Sequence, residues 1–390
     1  MKLRTTLVAA GMVLVTSTAL SGCGSSSSAD SGDAGSRPIT IGWVPGNTTG
    51  VFKTATEYFE KSADAANDAG MNVKVVTQAP AGGEADTAGY QQIIENMISQ
   101  KVDAIVVSPG DAESIKPAVR EANDANIPVV YVNLLDDQTG VDVSAFVGFD
   151  NEVASEVSGY AVLDYFGGPG VLGTGEKVSV TPEQRLDVNF WRDLYKGVDL
   201  SSISGEGAII EGLKGTSFSN QRVEGFSKII ALAPNVKIES VLAADWDRSK
   251  GADAAADLLT RYPDLDFIWA ASAEMALGAV SSLEGAGVLD TNPDGSAPTT
   301  GKVSVFSNDS TAESTDAIRQ GKFIAETTHG FADWGWIGTQ VAVKLACSEQ
   351  VEAKNDIDPR TVYYANADQF YPVPQLPLPD WASIKADCKS

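Results

Sequence analysis

The sequence has very few of the residues that carry out nucleophilic or metal chemistry. Its single histidine is His329, so a Ser-His-Asp or Cys-His arrangement would have to be built around that one residue. The Gly-x-Ser-x-Gly turn that presents the nucleophile of many hydrolases is absent. A metal site needs more ligands than two lone cysteines, Cys347 and Cys388, that are far from the single histidine. The sequence therefore predicts a protein that is not an enzyme and has no metal or cofactor.

Basic residues are also scarce. Lys and Arg number 28 against 52 Asp and Glu, which gives a formal net charge of -24. Nucleic acids and anionic membrane surfaces repel a protein of this charge. We therefore expect neither of them as a partner.

The chain has no apolar run long enough to cross a membrane, but it begins with a shorter one. Lys2 and Arg4 precede an apolar segment from Leu7 to Leu20, which is followed by Ser21-Gly22-Cys23. This pattern is typical of a lipoprotein signal peptide, residues 1–22, whose removal leaves Cys23 to carry a lipid. An ordinary secretory signal with a chance cysteine is the alternative. Residues 23–37 are polar and rich in Ser and Gly, so they predict a flexible tether.

The two remaining cysteines make an even pair in a chain predicted to be secreted. Cys347 and Cys388 suit a disulfide that joins the C-terminal tail to the last long helix. Two free buried thiols are the alternative.

A strand followed by a helix stands out near the middle of the second half of the chain. Phe267–Ala271 is a short buried-type run, and Leu277, Val280 and Leu283 then recur at helical spacing until Gly285. Such a strand-turn-helix unit is half of a β-α-β motif. In parallel sheets, ligands bind near the turn that follows the strand.

The same alternation occurs in two runs along the chain, with helices between successive strands. The strands predicted for the first run are Ile39–Val44, Asn72–Thr77, Ala104–Ser108, Pro128–Val132 and Phe146–Gly148, and those for the second are Ala208–Glu211, Lys237–Leu242, Phe267–Ala271, Val303–Phe306 and Phe323–Thr327. Two runs of this kind predict two α/β lobes, each with a doubly wound parallel sheet. The cleft between two lobes is a favoured place for a small-molecule site.

Two segments depart from this alternation. Residues 167–205 are too long for a loop, and Thr181-Pro182-Glu183-Gln184 resembles the start of a helix, which predicts an extra helix over Arg185–Lys196. This insertion either packs on the second lobe or forms a lid or a surface for docking to a transporter. Residues 371–390 begin with a proline-rich stretch, with prolines at 372, 374, 377 and 379, which predicts an extended tail.

Polar and aromatic residues follow the ends of several predicted strands. They are Asn47, Thr48 and Thr49, then Asn133, Trp246, Asp247, Ser272, Glu274, Asn308, Asp309 and His329. In a two-lobed α/β protein these positions converge on the cleft. Amides, hydroxyls and carboxylates pair with hydroxyl groups, and an indole face can cover the C–H face of a sugar. The set predicts a site for a neutral polyhydroxylated ligand.

Several passages together resemble the type I sugar-binding proteins of ABC transporters, the ribose and galactose group. The matching passages are Ser108–Asp111, Ala125–Val130, Gly215–Ser217 with Arg222–Phe226, Asp245–Gly251 and Glu274–Ala279. The resemblance implies two Rossmann-like lobes joined by three crossings and a hinge. We assign residues 38–148 with about 330–352 to the first lobe, and 149–329 with about 353–370 to the second.

The resemblance also implies roles for individual residues. Phe52 and Trp246 correspond to the family's aromatic rings on either side of the sugar, and its hydrogen-bonding positions correspond to Asn133, Asn220, Ser272, Asn308 and His329. With Asn47 and Thr49 these form the predicted site. The family has an Asp-Arg pair at Asn133-Leu134, an arginine at Asn220 and an aspartate at Asn308, so we expect fewer charged groups in this cleft.

Each of these residues also has a structural alternative. Trp246 and Phe52 could pack in the core, Asn133 and Asn308 could cap turns, Ser272 could end its strand, and His329 could bond to backbone at the hinge. Trp334 and Trp336 are interpreted as core residues.

These observations predict a solute-binding lipoprotein of a bacterial cell envelope, anchored at Cys23 on the outer face of the cytoplasmic membrane or in the periplasm. It would act as a monomer that captures a sugar or sugar alcohol for an ABC permease. The alternatives are a sensor lipoprotein that presents its ligand to a membrane receptor, and a secreted hydrolase. Cytoplasmic repressors that share the fold are excluded by the signal segment and by the absence of a basic DNA-binding segment before the first lobe.

Overall fold

The structure, a computed structural model, describes residues 37–173, 175, 177–293 and 295–388. The predicted signal peptide, Cys23 and the tether as far as Ser36 lie outside the described residues. Within the described part of the chain, no helix is both long and apolar enough to cross a membrane.

The first lobe begins with five β-strands that alternate with three α-helices. Their bounds are β1 (Ile39–Val44), α1 (Gly50–Asp68), β2 (Val73–Thr77), α2 (Thr87–Gln100), β3 (Ala104–Val107), α3 (Lys116–Asp124), β4 (Val129–Val132) and β5 (Ala145–Gly148). Strands β3 and β4 are buried at every position and consist mainly of β-branched residues. Such strands suit a parallel sheet covered by helices on both faces.

The second lobe repeats this plan. Its elements are α4 (Asn151–Tyr165), α5 (Val188–Leu194), β6 (Ser204–Glu211), α6 (Ser217–Ile230), β7 (Asn235–Ala243), α7 (Arg248–Arg261), β8 (Phe267–Ala270), α8 (Ala273–Ala286), β9 (Ser304–Asp309), α9 (Ala312–Arg319) and β10 (Ala325–Thr328). The chain then continues through α10 (Phe331–Ala346), β11 (Lys354–Asp356), β12 (Arg360–Tyr363) and α11 (Trp381–Asp387).

Each lobe contains a six-stranded sheet within the described residues. The strand orders are β11-β5-β4-β3-β1-β2 and β12-β10-β9-β8-β6-β7. Neighbouring strands are parallel except β12, which runs antiparallel to β10. The chain passes from one sheet to the other at residues 148–151, 328–331 and 356–360. The predicted fold class, two doubly wound α/β lobes, is confirmed.

One predicted lobe boundary is wrong. Residues 354–356 were assigned to the second lobe, but they form β11 and pair with β5 at Phe146, Val147 and Gly148 of the first sheet. The third crossing therefore lies after β11 and not before it. Three residues of strand leave too little periodicity in the sequence to show which sheet they join.

The predicted helix over Arg185–Lys196 is shorter than expected. Asp187 caps it, because its Oδ1 accepts from the backbone N of Asn189 and of Phe190, both at 3.0 Å. Leu186 lies outside the helix because its carbonyl accepts a hydrogen bond of 3.0 Å from Thr361 N on β12. Thr181 begins only a turn, in which its N donates to Gln184 Oε1 at 2.8 Å.

The insertion packs on the second lobe. Trp191 of α5 is completely buried in the core of that lobe, and its Nε1 donates to Thr361 Oγ1 at 2.9 Å. Its ring lies parallel to that of Tyr160 on α4, with centroids 6.4 Å apart. Of the two interpretations of residues 167–205, the structure supports packing on the second lobe over a lid.

The tail is extended only in part. Residues 373–380 form neither helix nor strand, but Asp380 then caps α11 by accepting from Ser383 N at 3.0 Å. Trp381 and Ile384 of α11 are buried in the core of the first lobe. A disulfide joins Cys388 to Cys347, which directly follows α10. The prediction of an extended segment as far as residue 390 is wrong because two apolar residues at helical spacing anchor this end.

Candidate ligand-binding cleft

A cavity of about 50 Å³ lies between the two lobes. The first lobe lines it with Asn47, Thr49, Gly50, Val51, Phe52, Glu84, Asn133, Phe331 and Trp334, and the second lobe with Phe218, Arg222, Trp246, Ser272, Glu274 and Asp309. Most of these residues follow the carboxyl end of a strand or lie in the first turns of a helix. This is the edge at which parallel α/β sheets bind ligands.

The lobes are in contact around this cavity. Asn151, at the first crossing, donates from Nδ2 to the Asn133 carbonyl at 3.1 Å, and Gln221 Nε2 of α6 donates to Asp136 Oδ2 of the first lobe at 3.2 Å. Gly50, with φ +50°, comes so close to the second lobe that a Cβ there would lie 3.0 Å from Glu274 Oε1. A cavity of this volume holds about one or two water molecules. A monosaccharide is larger than that, so its binding requires the lobes to separate.

Aromatic rings from both lobes form the walls. Phe52 and Trp334 face the cavity from the first lobe, and their ring centroids lie 6.4 Å apart. Trp246 faces it from the turn after β7, where its φ of +63° places the ring over Gly212. A Cβ at Gly212 would lie 2.1 Å from the indole, so a larger residue there would displace the ring. The cleft can therefore cover a ligand with flat apolar faces.

Arg222 of α6 is the central cation of the cleft and is almost fully buried. Its Nε donates to Asn151 Oδ1 at 2.8 Å, and its Nη1 donates to the Ala271 carbonyl at 2.6 Å and to Asp309 Oδ1 at 3.3 Å. The guanidinium carbon also lies 5.2 Å from the Trp246 ring. These contacts fix the fork of donors in one orientation.

Two carboxyl groups share this environment. Burial raises the pKa of Glu84 to about 7, helped by the charge of Asp309 and opposed by Arg222. Burial likewise raises the pKa of Asp309 to about 6, although Arg222 and the backbone N of Ala273 lower it. Glu84 faces the cavity but the lobes shield it from bulk water. Asp309, paired with Arg222, offers a charge-assisted acceptor to hydroxyl groups, whereas Glu84 can donate a hydrogen bond when it is protonated and accept one when it is ionised.

A network of charges lies at the rim of the cavity. Glu274 Oε2 accepts from Arg248 Nε at 2.8 Å, and Arg248 also makes a two-pronged contact with Glu313, each bond 2.8 Å long. One arginine shared by two carboxylates leaves this network with one more negative charge than positive.

The structure places six of the nine predicted site residues at the cavity. They are Asn47, Thr49, Phe52, Asn133, Trp246 and Ser272. Ser272 also caps α8, since its Oγ accepts from Met275 N at 3.4 Å. Asn220, Asn308 and His329 do not line the cavity.

Asn220 points away because of its position in α6. It is exposed, whereas Phe218 and Arg222 lie two residues before and after it on the buried face. Residues four apart in a helix share a face and residues two apart do not. The arginine of α6 that lines the cavity is Arg222, two residues further along the helix.

Asn308 faces the interior of the second lobe. Its Nδ2 donates to Ser155 Oγ at 2.9 Å and its Oδ1 accepts from Ser158 Oγ at 2.6 Å, both on α4. Asp309, the next residue, faces the cavity because successive side chains of a strand point in opposite directions. The cleft therefore contains an arginine and an aspartate, Arg222 and Asp309, while Asn133 and Leu134 are uncharged.

His329 lies behind the cavity wall. It is completely buried, its ring centroid is 4.0 Å from that of Phe149, and its Nδ1 is 3.5 Å from Asp309 Oδ1. Burial and the charge of Arg222 keep the pKa of His329 well below its usual value. Neither ring nitrogen of His329 has a hydrogen-bond partner among the described residues.

Some lining residues could have been found in the sequence and others could not. Arg222 begins one of the passages that carry the resemblance, and Asp309 follows a predicted strand. Trp334 was interpreted as core, and it is both fully buried and part of the cavity wall. Glu84 lies in a single 3-10 turn, Gly83–Ala85, that carries no motif, and only the tertiary structure brings it to the cavity. Among the described residues, no cluster of His, Cys, Asp and Glu could hold a metal ion.

The fold and the cleft together define a two-lobed solute-binding protein. The chain belongs to the periplasmic binding protein domain family, whose profile matches residues 41–350. It is 27% identical over 297 residues to the ribose import binding protein of Salmonella typhimurium, covering 72% of this chain and 82% of that protein. It is 25% identical over 373 residues to the fructose import binding protein of Bifidobacterium longum, covering 92% of this chain and 97% of that protein. A solute-binding protein of an ABC transporter from Bacillus halodurans, solved with myo-inositol, superposes with a TM-score of 0.66 at 25% identity, covering 87% of this chain and 98% of that one.

Proposed function

We propose that this protein captures a sugar or sugar alcohol outside the cytoplasm and delivers it to an ABC permease. The observation that carries the proposal is the interlobe cleft, in which aromatic faces from both lobes flank Arg222, Asp309 and Glu84. Rings cover the C–H faces of a polyol while charged and amide groups pair with its hydroxyls. The family and the named relatives, which bind or import sugars, support the same class of ligand.

Capture would couple ligand contacts to lobe closure. The ligand would enter when the lobes separate at the three crossings, and contacts from both lobes would then favour the closed arrangement. The permease would distinguish the closed protein from the open one. The cleft would hold the ligand without altering it, because no nucleophile and base are paired there.

The predicted lipid anchor at Cys23, the envelope location and the monomeric state belong to the same proposal. A lipid on Cys23 would keep the protein close to its permease after secretion. Mass spectrometry of the protein from a native host tests this, since an unmodified Cys23 or a retained signal peptide would contradict it.

Calorimetry and thermal-shift measurements against pentoses, hexoses and polyols test the ligand class. Once a ligand is found, we expect Trp246→Ala to weaken binding by about tenfold or more, since stacked aromatic contacts contribute about 1 kcal/mol or more beyond buried area. Asn220→Ala, on the exposed face of α6, is the matched control and should bind as the wild type does. A folded protein that responds to none of these compounds would contradict the proposal, and so would turnover of the bound compound detected by NMR.

A further inference from the structure

The C-terminal tail contacts both lobes and one of the crossings between them. We call residues 371–380 the strap. It begins next to the second lobe after β12 and ends at α11 in the first lobe. Both ends are anchored by several independent contacts.

The anchor on the second lobe is built around Arg319 of α9. Its Nη2 donates to the Tyr371 carbonyl, and its Nε donates to Asp368 Oδ1 at 3.0 Å. Just before the strap, Phe370 packs against the core of the second lobe, and the Arg360 guanidinium lies 5.1 Å from its ring.

The anchor on the first lobe is stronger. Trp381 and Ile384 are buried in its core, and the disulfide between Cys388 and Cys347 fixes the end of α11 to the end of α10. Along the strap, the Pro377 carbonyl accepts from Trp336 Nε1 at 2.8 Å. A covalent bond and two buried side chains keep this end in place while the lobes move.

The strap lies over the crossing at residues 328–331. A cavity of about 150 Å³ separates them, lined by Thr328, Gly330 and Phe331 of the crossing and by Tyr371 and Val373 of the strap, among others. The Tyr371 side chain lies beside Thr54 of α1, and the two residues line one surface cavity. Tyr371 therefore contacts the first lobe through its side chain and the second lobe through its carbonyl.

We propose that the strap is a fourth link between the lobes, which limits how far they open. Its sequence from Tyr371 to Pro379 contains prolines at 372, 374, 377 and 379, and proline holds the chain near its extended length. Residues 373–379 form neither helix nor strand. In a polyproline conformation, which rises about 3.1 Å per residue against a maximum of roughly 3.3–3.6 Å, these seven residues can lengthen by only about 1–4 Å. Larger separation of the two anchors must break the contacts at Arg319 or Thr54.

A limit of this kind keeps the ligand-free lobes close to the closed arrangement. Ligand binding then has to restrict less motion of the lobes, which raises the affinity for the ligand and slows its release. The proposal concerns the lobes themselves and does not depend on which ligand the cleft takes.

Lengthening the strap tests the proposal without removing either anchor. Six Gly and Ser residues inserted after Gln375, which is exposed and lies between the contacts at Tyr371 and Pro377, add about 20 Å of reach. Spin labels on non-cysteine amino acids at Lys74 and Lys237, exposed on the edge strands β2 and β7, report the interlobe distance without disturbing the disulfide. We expect the ligand-free distribution to shift to longer distances by several ångström. The same insertion after Gly301, in an exposed loop of the second lobe before β9 where a Cβ meets nothing within 4 Å, is the control and should leave the distribution unchanged.

A second variant releases the strap at its other end. Arg319→Ala removes the bonds to Tyr371 and Asp368, whereas Asp316→Ala removes only the neighbouring ion pair of Arg319. Arg319→Ala should also lengthen the ligand-free distances, and Asp316→Ala should not. The proposal would be overturned if Arg319→Ala and the lengthened strap both gave the wild-type distribution of interlobe distances. It would also be overturned if either control variant shifted that distribution as much as the variant it is paired with.

Discussion

Replacing Glu84 by glutamine tests whether this carboxyl group is held protonated by the closed cleft. Its pKa rises from 4.5 to about 7, so the folded protein keeps a proton that the unfolded chain releases between these pH values. Stability from this group is therefore full below pH 4.5 and is lost as the pH rises through about 7. At about 1.4 kcal/mol for each pH unit, the loss reaches about 3 kcal/mol.

That value is an upper bound, because the lobes can open and readmit water to the charged group. We expect Glu84→Gln, which mimics the protonated form, to be more stable than the wild type at pH 8 by about 1–3 kcal/mol and equally stable at pH 4.5. Denaturant unfolding of the ligand-free protein across this range measures it. Glu95→Gln, on the exposed face of α2, is the control. Parallel stability curves for wild type and Glu84→Gln would refute the reasoning.

Two further predictions concern buried packing. The pKa of His329 is below its usual value, so the wild type should lose stability as the pH falls through 6.5. His329→Gln should make this loss of stability in acid smaller. Thermal melts in which the melting temperatures of both proteins fall equally with decreasing pH would contradict this. Gly335→Ala should cost about 1–3 kcal/mol in denaturant unfolding, because a Cβ at Gly335 would lie 2.2 Å from the Ala55 carbonyl where α10 crosses α1. Gly285→Ala in α8, where a Cβ meets nothing within 4 Å, is its control and should be neutral or slightly stabilising; equal losses in the two would argue against close packing at Gly335.

The sequence predicted the lobes well because their signals are local. Each strand is a short buried run and each helix has apolar residues at helical spacing, so Ala104–Val107 and Asn151–Tyr165 could be located within a residue or so. Strand ends then pointed to the edge where the cleft lies. Elements held by distant contacts were predicted less well, since Leu186 is engaged by Thr361 and α11 is held by the first lobe's core.

Within the cleft, the errors concern the direction of side chains. Asn220 and Asn308 are predicted to bind the ligand but face away from the cavity, while their neighbours Arg222 and Asp309 face it. An offset of two residues in a helix, or one in a strand, reverses the face, so a site cannot be assigned from nearness to a strand end alone. Glu84 was missed for a different reason. No pattern in the neighbouring sequence indicates a binding site, and only the packing of the whole lobe brings this residue to the cavity.

The order of elements along the chain has a consequence for how the protein acquires its structure. The lobe that begins the chain is also the one that ends it, since α10, β11 and α11 complete its sheet and core. The other lobe is nearly continuous from residue 151 to 328 and lacks only β12. During synthesis or export from N- to C-terminus, the middle of the polypeptide can therefore reach its native state before the beginning does. The earliest segments must wait, with apolar surface uncovered, until the last residues arrive.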